Sequence, residues 1–87
     1  MKDVTANDRM RILLVEDIDK LRQSLSRTLT EHGYAVLQAA NGLEALEVLR
    51  HEDVDLVLTD LVMPMLSGTA LAATLSEMSP ELPIVLM

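Results

Sequence analysis

Four short apolar runs, each bounded by polar or turn-forming residues, divide the chain. Arg11 followed by Ile12-Leu13-Leu14-Val15 is continuous rather than alternating, the pattern of a strand covered on both faces in a parallel sheet. Tyr34 to Ala39, Asp53 to Asp60 and Pro83 to Met87 read as second, third and fourth strands, the last of them buried. Between the runs the period lengthens. Ile18, Leu21, Leu25 and Leu29 recur at helical spacing while Lys20, Arg22, Gln23 and Arg27 fill the other faces, which predicts an amphipathic helix ending at Gly33. Asn41 is placed to cap a second helix from Leu43 to about His51, with Leu43, Leu46 and Leu49, or the stem of Arg50, turned inward. Met63-Pro64 blocks helix because a residue before proline is pushed out of the α region. Ser67 or Thr69 then caps a third helix through Leu71, Ala72 and Leu75 to Met78, closed by Pro80 and Pro83.

Strands alternating with helices imply right-handed crossovers and a doubly wound α/β parallel sheet. The chain has 87 residues and no cysteine, so one domain is the ceiling and thiolate metal sites, disulfides and cysteine nucleophiles are excluded. At 49% apolar it is too hydrophobic for a disordered segment, and with Tyr34 as the lone aromatic its core must be aliphatic. A net charge of -7 argues against direct nucleic-acid binding, which requires clustered Lys and Arg. No apolar run approaches the length needed to span a bilayer. Residues 1–10 lack the apolar stretch of a signal peptide and read as a flexible leader to a cytoplasmic protein, with the folded part over 11–87.

Three carboxylates stand where the chemistry of such a sheet is found. Glu16 and Asp17 close the first apolar run and Asp60 closes the third, and ligands bind open α/β sheets in the crevice outside the carboxyl ends of the strands. Two such groups about 6 Å apart repel by roughly 3 kcal/mol at an effective dielectric near 20. A cation relieves that cost, and an all-oxygen donor set suits Mg²⁺. Asp is also a competent nucleophile toward phosphorus, giving an acyl phosphate. Glu16 and Asp17 taken singly have a plainer explanation, as acidic residues favoured by the dipole of the helix that follows. Asp60 does not, because Leu61-Val62-Met63-Pro64 cannot begin a helix directly. His32 and His51 at helix C-termini read as surface caps. Thr59 reads as a strand residue, Met63 and Met65 as cover over the site, and Gly68 as a source of backbone freedom at the turn.

The segments Ile12-Leu13-Leu14-Val15-Glu16-Asp17, Gly33-Tyr34, Ala40-Asn41-Gly42-Leu43-Glu44-Ala45-Leu46, Asp55 through Pro64 and Ser67-Gly68 together resemble the receiver domain of two-component response regulators, found also in hybrid histidine kinases. The resemblance runs from about Arg11 to Met87. It implies a flavodoxin-like fold and a bacterial phosphorelay role, with Asp60 as phosphoacceptor and no turnover of small molecules. Asp17 would be a direct Mg²⁺ ligand, Glu16 a water-mediated one, and Val62 would offer its backbone carbonyl to the metal. The partner would be a histidine kinase or a phosphotransfer protein. An apolar Val62 also removes a polar side chain that could orient a hydrolytic water.

By the same resemblance the chain stops at the fourth strand, so a fourth helix, fifth strand and fifth helix are absent, with the Ser or Thr and the Lys that read the phosphate. A missing last helix would have buried four or five aliphatic side chains, about 10 kcal/mol in all, against the roughly 5–15 kcal/mol that hold a domain together. The expectation is that these residues belong to a longer chain or self-associate through the uncovered sheet face. Two rivals remain at this point. A truncated or pseudo-receiver would serve only as an interaction or dimerisation module. A phosphatase of the haloacid dehalogenase type would need a second Asp where Val62 stands.

Overall fold

The computed structural model describes residues 9–60 and 66–87. Strands and helices alternate as β1 (Arg11–Val15), α1 (Asp19–Glu31), β2 (Ala35–Ala39), α2 (Gly42–His51), β3 (Leu56–Thr59), α3 (Gly68–Met78) and β4 (Ile84–Leu86). The strands make one parallel sheet in the order β2-β1-β3-β4. β1 is therefore central, as its unbroken apolar run requires, with Leu13 beside Leu37 on one flank and Val57 on the other.

Alternation along β1 sends its side chains to two different environments. Leu13 and Val15 join Ala39, Val57, Ala45, Leu71 and Leu75 in one buried cluster, so α2 and α3 cover that face. Ile12 and Leu14 are also buried and point to the other face. Gln38, the register partner of Leu14, points the same way and binds α1 twice: its Oε1 accepts from Arg22 Nε at 3.2 Å and its Nε2 donates to Ser26 Oγ at 3.2 Å.

The helix ends follow from local chemistry. Asn41 Oδ1 accepts from the Glu44 amide at 2.8 Å while Glu44 Oε1 accepts from the Ala40 amide at 3.0 Å, a reciprocal pair that starts α2. Ser67 Oγ accepts from the Ala70 amide at 3.1 Å and starts α3. α1 has no side-chain cap of its own at Ile18 and terminates at His32, followed by Gly33 at φ 93°, a left-handed conformation that glycine adopts at little cost.

Several expectations about burial need correction. Leu43 is 49% exposed; the α2 side chain nearest the sheet is Ala45, which is fully buried, with Leu46 and Leu49 packed at the cluster's edge. α1 buries no residue completely, and Ile18 and Leu21 are exposed. β4 is an edge strand, with Val85 and Leu86 both more than two-fifths exposed, because β3 flanks it on one side only. Gly68 is buried but adopts no positive φ, so backbone freedom is not its use.

Candidate functional site

The ladder continues one step past the strands and thereby fixes the first residue of each loop at the top of the sheet. The Glu16 amide donates to Ala39 O at 3.1 Å, the Asp60 amide to Val15 O at 3.1 Å and the Met87 amide to Thr59 O at 2.9 Å. Glu16 and Asp60 thus hang from adjacent strands at the point where the strand order reverses, since β1 connects outward to β2 and β3 lies on its other side. This is the switch point at which doubly wound sheets bind ligands. Carboxylate oxygens of Glu16, Asp17 and Asp60 come within 4.8 Å of one another there.

The three groups are not equivalent. Glu16 is 1% exposed, and its Oε2 accepts at 3.1 Å from the amide of Ile18, the residue that precedes α1. Burial pushes its carboxyl above the ordinary carboxylate range; the Ile18 amide opposes this, and a hydrogen bond to Asp17 and the charges of Asp60 and Asp17 add to it. Asp17 and Asp60 are partly open to solvent. A third contact holds the loop from outside: Arg22 Nη1 donates to the Glu16 carbonyl at 2.8 Å, while Nη2 donates to Asp19 Oδ1 at 2.6 Å. In the sequence Arg22 reads only as part of the polar faces of α1.

Val62, Met63 and Met65 lie outside the described residues. Thr59 is fully buried and its Oγ1 donates to Asp60 O at 3.2 Å. Far from the carboxylates, His32 Nδ1 meets Thr28 O at 2.8 Å and His51 Nε2 meets Glu47 Oε2 at 3.0 Å, both on exposed helix ends. A cavity of about 400 Å³ lies at the opposite end of the sheet, between α2 and α3, and contains none of the three carboxylates.

A parallel sheet of this order, with acidic residues at its switch point, defines a flavodoxin-like fold of the receiver type. The family described as the response regulator receiver domain matches residues 12–87, and the chain belongs to it. Over 75 residues it is 43% identical to the response regulator receiver protein CpdR of Brucella abortus, covering 86% of this chain and 62% of that protein. The transcriptional regulatory protein GlrR of Escherichia coli is 40% identical over 76 residues, 87% of this chain and 17% of the relative. Among solved structures, TrrA of Thermotoga maritima in complex with Mg²⁺-BeF superposes with a TM-score of 0.85 at 36% identity, covering 88% of this chain and 67% of TrrA. The chain thus spans 17% to 62% of those two curated relatives. Receiver domains are signalling modules of two-component systems, and the family binds Mg²⁺ at an acidic site and works with histidine kinases or phosphotransfer proteins. No helix among the described residues is long and apolar enough to cross a membrane.

Proposed function

We propose that this chain accepts a phosphoryl group on Asp60 from a histidine kinase or phosphotransfer protein in the bacterial cytoplasm, with Mg²⁺ as the required ion. The observation that carries this reading is the gathering of Glu16, Asp17 and Asp60 oxygens within 4.8 Å at the switch point. The donor set fits the ion: every donor is a hard oxygen, and three carboxylates this close repel one another by about 3 kcal/mol per pair unless a cation or proton intervenes. Asp17 and Asp60 would hold the metal directly, with Glu16 through water and Val62 through its backbone carbonyl. The bound ion supplies neutralising charge for a phosphoryl group.

Asp60 acts as the nucleophile. One carboxylate oxygen forms the bond to phosphorus as the phosphorus–nitrogen bond of a phosphohistidine breaks, and the departing imidazole keeps the electron pair and takes a proton from solvent. An acyl phosphate remains on Asp60. The hydrogen bond its backbone N–H donates to Val15 O keeps the acceptor in place through this exchange.

Incubation with acetyl phosphate and Mg²⁺ tests the reading by intact-mass spectrometry. A single phosphoryl adduct is expected in the wild type and none in Asp60→Asn or after chelation. A wild type without adduct would favour an interaction module instead. The open edge of β4, with Val85, Leu86 and Met87 exposed, supports self-association alongside phosphotransfer. The net charge of -7 supports a module that leaves nucleic acid to other parts of its system.

A further inference from the structure

We infer that Arg22 is a positioning residue for the carboxylate site, holding the Glu16–Asp17 peptide plane in the orientation that turns Asp17 toward Asp60. This rests on the reading that the three carboxylates hold a divalent cation. Arg22 sits on the first turn of α1, its side chain 14% exposed, and uses all three guanidinium nitrogens. Nη1 reaches the Glu16 carbonyl at 2.8 Å, Nη2 the Asp19 carboxylate at 2.6 Å, and Nε the Gln38 side chain at 3.2 Å. The carbonyl of Glu16 and the amide of Asp17 belong to one rigid plane. Fixing that oxygen therefore fixes the direction in which the chain enters Asp17.

The other bonds of the loop do not do this. The Glu16 amide on Ala39 O sets the preceding plane, and the Ile18 amide on Glu16 Oε2 sets the following one. Arg22 alone among the described contacts grips the plane between the two acids. Its Nε is anchored to the sheet through Gln38, the β2 residue in register with Leu14 of β1, so the grip is referred to β2 rather than to α1 alone.

A cation beside a cation site is a paradox that Asp19 resolves. A bare guanidinium near Glu16 would repel Mg²⁺. With the Asp19 carboxylate at 2.6 Å the arginine's charge is matched, and what remains toward the loop is a directional donor. Positioning and electrostatics then make opposite predictions for removal of Arg22. Loss of a repelling charge tightens cation binding, whereas loss of the grip weakens it.

The experiment measures the Mg²⁺ dissociation constant of the full chain by calorimetry and, without metal, amide hydrogen exchange at Ile18 and in β1. Arg22→Ala is expected to raise the dissociation constant about tenfold, the scale of losing a partner that orients a ligand, and to speed exchange at Ile18 while Leu13 and Val57 keep their protection. Arg22→Lys, which keeps charge without the fork, is expected to recover part of the affinity. Asp19→Asn, which leaves the guanidinium unmatched, is expected to weaken binding while Ile18 stays protected. An unchanged or tighter constant in Arg22→Ala, or unaltered exchange at Ile18, would overturn the inference. If the wild type bound no Mg²⁺, the reading of the site would fail by itself, and the metal-free exchange at Ile18 would still decide whether Arg22 holds the loop.

Discussion

Glu16 shows how a single side chain can serve the site at the expense of the fold. It is enclosed, it lies beside two other carboxylates, and its carboxyl binds protons more tightly in the folded chain than in the unfolded one. Below the ordinary value of 4.5 both states carry the proton and Glu16 costs nothing. As pH rises past that value the unfolded chain ionises first, so stability falls until the raised pKa is passed and is constant thereafter. Glu16→Gln keeps an oxygen for the Ile18 amide and abolishes the titration. In metal-free urea titrations the variant should match the wild type in acid and exceed it in stability near neutrality, with the gap opening as pH rises from about 4.5. A gap that closed with rising pH would contradict this account. At this scale the acids were legible in the sequence because each ends an apolar run. Arg22 was not, since its value lies in a backbone oxygen six residues away, and no composition or period records a main-chain partner.

Among the elements, β1 and the capped starts of α2 and α3 could be read directly, because an unbroken run such as Ile12 to Val15 and a polar cap such as Asn41 or Ser67 are local signals. The burial of α2 was misread for a physical reason. Close approach of a helix to a sheet selects small side chains, so Ala45 lies against the core while the larger Leu43 faces outward. The exposure of β4 depends on sheet order, which no local pattern contains. Gly42 belongs to the same category. A methyl group there would stand 2.6 Å from Leu66 Cβ and 2.8 Å from Leu66 O. Helix propensity alone favours Gly42→Ala by up to about 1 kcal/mol, whereas forcing atoms into a packed site costs about 1–3 kcal/mol. Because one of the obstructing atoms is backbone, the second effect wins, and the substitution should lower the urea midpoint; a raised midpoint would show that the segment around Leu66 moves aside freely.

For the molecule as a whole, the two faces of the sheet are unequally covered. α2 and α3 share one face, while the other carries α1, which buries no side chain fully, and leaves Val85 open beyond β3. Among the described residues β4 has a neighbour on one side only, which supports the proposed pairing with a second copy. Sedimentation at rising concentration should show self-association that Val85→Lys reduces, whereas a folded, cooperative wild-type monomer at all concentrations would remove the proposal. The ladder at the top of the sheet has a different kind of consequence. Glu16, Asp60 and Met87 are suspended by their own main-chain N–H groups from the carbonyls of Ala39, Val15 and Thr59, groups that every residue but proline possesses. These strand-end hydrogen bonds therefore do not depend on which side chain each position carries. Inheritance can keep the strands and revise the chemistry at their tips one residue at a time, so a lineage could lose or regain phosphoryl acceptance without passing through an unfolded ancestor.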